Sequence, residues 1–357
     1  MDNPAFILLI NALEHVEEIN QQRLYRRQLR DASDPLSLPE TTFKNMYRIS
    51  RQMAHGLIVD LDPHLHDTRR NVLYIPKNLK ILAALQFYAH GSYQKVVGIY
   101  EVNVALENFY HLIHFPSTPE ECAVEKQRFM SLPNGFPGII GAIDCTHVAI
   151  IAPPHEDPHY PGMVFLNRKG YCSINVQIIC NANLRILAIN SRFPGSVHDS
   201  AIWSTSLIRR HLIAMHDEGN QNSWLIGDSG YPLEPWLLTP VAGINLTDPE
   251  RRYNMGHKSV RNVIERLNGV LKGRFRCLGR ARMLHYSPPV AAKIINSCAV
   301  LHNLCVDRGE IDVEEEIDEN MGDDIPCDIH NENYGDNNVL IRGRNIRNRV
   351  IRNHFMN

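Results

Sequence analysis

The sequence predicts an α/β fold: a mixed sheet with flanking helices, preceded by a small all-α region. Three observations predict it. The first third carries apolar residues at helical spacing and no strand pattern. From residue 139 the pattern changes to short apolar, β-branched runs separated by turn signals. The order of these runs, with the helical segments between them, is three strands, a helix, two strands and a helix.

Each element has its own signal. Residues 4–30 place Ile7, Leu8, Ile10, Leu13, Val16, Ile19 and Leu24 at helical spacing and end in a basic cluster, Arg23, Arg26, Arg27 and Arg30. Ser37-Leu-Pro39-Glu40 opens a second helical segment that runs to about His55, with proline in the first turn. A third helix is expected over Leu79–Ala89. Ile139–Ile151 reads as a long strand stopped by Pro153-Pro154. Ser173–Cys180 and Arg185–Asn190 form a hairpin across the short turn Asn181-Ala-Asn-Leu184. A helix from His198 to about Met215 follows, then short strands at Trp224 and Trp236. A helix from Gly256 to about Phe275 has Val260, Val263, Ile264, Leu267, Val270 and Leu271 on its apolar side.

This order matches the ribonuclease H-like layout, in which the first strand carries one acid, the fourth ends in a second, and a later helix supplies a third. The expected organisation is therefore a helical N-terminal region over 1–135, a ribonuclease H-like domain over 136–308 and a charged tail over 309–357. The tail is expected to be disordered, because Glu310–Asp324 holds nine acids and no base while Arg342–Arg352 holds five arginines and no acid. The arginine block also reads as a nuclear import signal or a DNA clamp.

Composition sets bounds. With 44% hydrophobic and 21% charged residues and a net charge of −2, the 357-residue chain is neither histone-like nor acidic. Its start lacks the small-residue cleavage pattern of a signal peptide, and no stretch is expected to span a bilayer. None of the eight cysteines forms a Cys-x-x-Cys pair, so a reducing compartment is expected. Cys298, His302 and Cys305 share one helical face and are a candidate zinc site. They lack a fourth ligand and a paired-ligand loop, so a buried helix is the preferred reading.

Three carboxylates carry the chemistry. Asp144 lies inside a buried apolar run, where a lone charge is costly unless a metal or cation balances it. Asp228 closes the short strand at Trp224 within Gly-Asp-Ser-Gly, which is equally a plain turn. Glu265 shares a helical face with Arg261, Asn268 and Lys272, the arrangement of an exposed salt-bridge ladder as well. What favours a site is the field around it, since residues 251–282 hold ten Lys/Arg against this single acid, a local charge of +9. Such a surface suits phosphates, with Arg261, Lys272, Arg274 and Arg276 as expected backbone contacts. Few carboxylates are needed to hold Mg2+ or Mn2+, and two such ions would serve both the attacking and the leaving oxygen of a phosphodiester. Asp199, at a helix start, reads equally as a structural acid or as a further metal ligand. Asn167-Arg-Lys-Gly-Tyr171 is a phosphate-contacting turn or a basic hairpin loop.

Taken together, Ile143-Asp144-Cys-Thr-His147, Asn167-Arg-Lys-Gly-Tyr171, Pro194-Gly-Ser-Val-His-Asp199, Gly227-Asp228-Ser-Gly-Tyr-Pro232, Tyr253-Asn-Met-Gly-His257, Glu265-Arg-Leu-Asn-Gly-Val-Leu-Lys272 and Leu301-His-Asn303 resemble the PIF/Harbinger superfamily of DDE transposases, in that family's order. Within it they are most similar to the animal nucleases derived from Harbinger transposases. The resemblance covers roughly residues 40–308. It implies DDE endonuclease or transposase chemistry with a divalent metal cation, Asp144, Asp228 and Glu265 as the catalytic triad, and Asp199 as a further ligand. It also implies a nuclear setting, with the cytoplasm as a second location. The partners it implies are DNA, a Myb-like DNA-binding protein and a second copy of the chain, with no membrane. A non-cleaving DNA-binding or scaffold protein of the same descent is the alternative, and an RNA–DNA hybrid hydrolase a third reading. One departure stands out: Gln94–Leu106 leaves little room for the second and third helices of a helix-turn-helix, which puts sequence-specific recognition by this region in doubt.

Overall fold

The computed structural model describes residues 4–32, 34–66, 74–91, 98–310 and 337–356. Its N-terminal part is helical. It comprises α1 (Pro4–Ala32), α2 (Glu40–Tyr47), α3 (Arg51–Leu61), α4 (Lys77–His90), α5 (Ile99–Glu107) and α6 (Pro119–Met130). The segment expected to run unbroken to His55 is split because Arg48 adopts a left-handed conformation and the Ser50 hydroxyl then accepts from Met53 N at 3.0 Å, restarting the helix as α3. Residues 92–97, which hold the start of the shortened helix-turn-helix segment, lie outside the described residues.

The sheet has five strands: β1 (Ile139–Ala149), β2 (Ser173–Cys180), β3 (Ile186–Pro194), β4 (Trp224–Ile226) and β5 (Leu237–Leu238). Their order is β3-β2-β1-β4-β5, with the first three antiparallel and β4 and β5 parallel to β1. This is the ribonuclease H-like architecture expected from the strand order. The β2–β3 hairpin turns through Leu184, which takes the positive φ of 62° that a tight connection requires. A single turn, α7 (Gly162–Phe165), precedes β2. The helix expected over 198–215 is two helices, α8 (Asp199–Ser204) and α9 (Leu207–Asp217), because the Ser206 hydroxyl accepts from Ile208 N and starts a new N-terminus. After β5 come α10 (Asp248–Arg274), α11 (Pro288–Asp307) and α12 (Asn337–His354).

Packing follows strand alternation. One face of the sheet, with Ala142, Val176 and Ile178, meets Val260, Ile264 and Leu267 of α10 and Ile294 and Leu301 of α11. The other face, with Ile140, Ile143 and Ile179, meets Trp203, Leu212 and Met215 of α8 and α9. The first core also takes in Phe43, Met53, Ile81 and Val102 of the N-terminal helices. Packing is therefore continuous across the boundary expected at residue 135.

Two expectations need correction and one holds. By length and composition α11 could cross a membrane, contrary to the expectation that no stretch would, but most of it is buried inside the fold. The buried-helix reading of Cys298, His302 and Cys305 on α11 holds, since all three are core residues. His302 Nε2 meets Leu184 O at 2.7 Å, Cys298 Sγ lies 3.9 Å from Cys277 Sγ, and Cys305 is buried. Finally, the expected disordered tail contains an ordered helix. Val350 and Ile351 of α12 enter the main core, Gly343 packs directly on the Leu233–Glu234 backbone, and the helix covers the otherwise open β5 edge. Counting only the tail's charge overlooked this apolar stripe. The acidic run at 311–324 lies outside the described residues.

Candidate active site

The sheet register decides which acids can meet. In the parallel β1–β4 pair Ala142 stands opposite Ile226, so Asp144 and Asp228, each two residues further on, leave the same face side by side. Neighbouring strands lie about 4.8 Å apart, which makes this a close pair of like charges. The consequence is visible in Asp144, whose carboxyl is held well above the usual carboxylate range, first by burial and then by the charge of Asp228; Arg261 opposes the shift. Asp228 is fixed by its own turn, where its Oδ1 accepts from Gly230 N at 3.0 Å.

α10 crosses this face. Its residue in contact with Asp144 is Asn268, 5% exposed, whose Nδ2 donates to Asp144 Oδ2 at 3.5 Å while its Oδ1 has no protein partner. Glu265 sits one turn earlier, but its carboxylate is ion-paired to Arg261 and its side chain is 51% exposed. Arg261 thus stands between two acids, paired with Glu265 and close enough to Asp144 to lower its pKa. Further along, Lys272 Nζ donates to His147 O at 3.0 Å and ties α10 to β1.

Asp199 is tied to the sheet through β2. His147 stands opposite Asn175 in the β1–β2 register, one residue out of phase with Asp144, and Asn175 Nδ2 donates to Asp199 Oδ1 at 2.9 Å and to Val197 O at 2.8 Å. Asp199 thus sits at the first turn of α8 with Asn175 as its donor, and its charge reaches Asp144. His147, whose Nδ1 meets Ser173 Oγ at 3.0 Å, is held down to about 4 by burial, against the pull of Asp199.

The expected phosphate contacts fare unevenly. Arg274 is only 2% exposed and donates to Glu310 O, so it is a core residue and not a surface cation. It follows Leu267 by seven residues, and the helical period places it on the buried stripe. Arg276 is half-buried and Arg261 is held by Glu265. Exposed cations near His147 and Tyr171 include Arg168 and Lys169 in the loop before β2, and Arg280, whose guanidinium stacks 4.7 Å from the Tyr171 ring centre. Sequence reasoning missed Asn268 as a partner of Asp144, although its i+3 spacing from Glu265 was in plain view.

The family described as DDE superfamily endonuclease matches residues 143–303, a span that begins one residue before Asp144 and includes Asp199, Asp228 and Glu265. A cattle protein (Bos taurus) named "Putative nuclease HARBI1" is 36% identical over 281 residues, 74% of this chain and 77% of its own length. The chain belongs to the DDE superfamily endonucleases, in the branch derived from Harbinger transposases. The mouse (Mus musculus) protein of the same name is 38% identical over 283 residues, again 74% of this chain and 77% of its own. The Arabidopsis thaliana "Protein ALP1-like" is 24% identical over 306 residues, 77% of this chain and 73% of its own. No solved structure matches the chain.

Members of this superfamily generally use divalent metals. The donor set here suits such an ion. Asp144 and Asp228 form a crowded, oxygen-only pair beside the unpartnered Asn268 Oδ1, a chemistry that favours Mg2+ or Mn2+ over softer metals. Among the described residues no three His, Cys, Asp or Glu side chains stand together as a complete ligand set. Glu265 is engaged by Arg261.

Proposed function

We propose that this chain is a divalent-metal-dependent DNA endonuclease, with Asp144 and Asp228 at its centre and Glu265 as the third acid. The observation that carries the reading is the parallel register that sets Asp144 beside Asp228 under α10, where burial and the charge of Asp228 raise the Asp144 carboxyl pKa. The ions held there would supply a nucleophilic water at neutral pH and stabilise the departing oxygen. The chain's own residues do the rest. Asn268 orients Asp144, and the Asp228 turn fixes the second carboxylate. Arg261 holds Glu265 in reserve, and Arg168, Lys169 and Arg280 offer charge to the DNA backbone. Nuclear residence, a Myb-like DNA-binding partner and self-association belong to the same proposal. They rest on the resemblance to Harbinger-derived proteins.

A second reading has one observation in its favour. Because Glu265 is engaged by Arg261, the triad is not assembled, which suits a DNA-binding protein that does not cut. Nicking of supercoiled plasmid separates the two. The enzyme reading expects Mg2+- or Mn2+-dependent nicking that Asp228→Ala abolishes. Equal nicking by both proteins overturns the assignment of cleavage to these acids, and none by either while DNA is bound establishes the non-cleaving reading.

A further inference from the structure

α12 has two unlike faces. Val350, Ile351, Ile346 and Leu340 pack into the main core, and Arg347 Nη1 donates to Thr239 O at 3.3 Å and Pro240 O at 2.9 Å just beyond β5. The opposite face is exposed and presents Arg342, Arg344, Arg349 and Arg352 among asparagines. The helix carries no acid anywhere along its length. Two of the exposed arginines have neighbours on the body of the protein: Arg349 Nη2 donates to Asn222 Oδ1 at 3.2 Å, and Arg342 lies 3.4 Å from His216 Nδ1, which is itself 3.9 Å from Asp217 Oδ1. Asn222 orients its guanidinium group without a charge, and one acid stands near Arg342 against four exposed arginines.

Position adds to composition. Gly227 N donates to Leu238 O at 3.1 Å, so the end of β5 lies beside Asp228 at the same edge of the sheet. One strand spacing and one helix-packing distance put the α12 axis on the order of 15 Å from the Asp228 backbone. A helical turn of duplex DNA is about 34 Å long, so a duplex engaged at the acids runs within reach of α12. Arginine and asparagine side chains are donors that phosphate oxygens accept, and contacts of this kind position a duplex without reading its sequence.

We propose that the exposed face of α12 is a second duplex-DNA surface, one that grips the phosphate backbone flanking the catalytic acids. The proposal rests on the nuclease reading for its ligand and is tested without cleavage. Binding of a short duplex is measured on the full chain in chelator, across salt concentrations, for the unaltered protein and for Arg342→Gln/Arg344→Gln/Arg349→Gln/Arg352→Gln. Each phosphate contact contributes about 0.9 to the slope of log affinity against log salt, so losing four makes the slope shallower by up to about 3.6. The affinity advantage of the unaltered chain then shrinks about 150-fold between about 50 and 200 mM salt. The matching quadruple lysine variant keeps charge and helix and retains the steep slope, which guards against a simple folding defect.

Equal slopes for the unaltered and glutamine chains overturn the proposal. So does a loss confined to duplex RNA, or a loss of nuclear accumulation with DNA affinity intact. A chain that shows the slope change yet never nicks DNA refutes the nuclease reading alone.

Discussion

Asn268→Leu separates stability from activity at the centre of the site. The native amide is buried with Oδ1 unpartnered and Nδ2 at 3.5 Å from Asp144. An unsatisfied buried acceptor costs about 1–3 kcal/mol, and a hydrogen bond at the long limit contributes at most about 1 kcal/mol. Leucine has a similar volume and fits with little repacking. The substitution is therefore expected to leave stability unchanged or raise it by up to about 2 kcal/mol. In a chain of this size that is a Tm shift of zero to about +3 °C. Activity moves the other way. Asp144 loses the donor that orients it, and loss of such an outer partner typically costs about 10–100-fold in metal affinity or rate. Calorimetry and metal-dependent plasmid nicking on the same preparation give both numbers. A fall in Tm of more than about 5 °C would refute the reasoning, because the Asn268 contact would then be a main support of the fold. Unchanged nicking would remove Asn268 from the site.

Further expectations follow from other positions. His302 is buried and held down from 6.5 to about 4 chiefly by desolvation, so the folded state binds its proton less readily than the unfolded state. Its contribution, about 3 kcal/mol, is present above pH 6.5 and lost as pH falls toward 4, and urea titrations of His302→Gln should show a shallower acid decline. A Cβ at Gly195 would stand 2.2 Å from Ser173 Oγ and 2.6 Å from Phe165 O, so Gly195→Ala is expected to destabilise by about 1–3 kcal/mol and displace the turn leading to Asp199, measurable by thermal melting. Mg2+ or Mn2+ should raise the Tm of the native chain, and Asp144→Asn should abolish the increase; an undiminished shift would place the binding elsewhere.

Much of the fold was legible. The β-branched run at 139–149, the hairpin turn at 181–184 and the amphipathic stripe of α10 each carried a local signal strong enough to give strand order. Other local signals were present but went unread. Thr118-Pro-Glu-Glu121 is a capping box that opens α6, and Arg274 falls on the same stripe as Leu267. α12 was misjudged because five arginines and several asparagines outweighed an apolar stripe that becomes favourable only against the edge of β5.

By itself the sequence determined the order of elements, the family motifs and the three acids, because periodicity and turn chemistry act over a few residues and survive without tertiary context. Which acids meet was decided only in three dimensions. A shared offset of two residues in parallel strands puts Asp144 beside Asp228, whereas Asp199 is held at the start of α8 by Asn175 of β2. The rotation of α10 then presents Asn268 to Asp144 and leaves Glu265 with Arg261. Register and helix rotation are set by long-range packing, and no short stretch of sequence contains them.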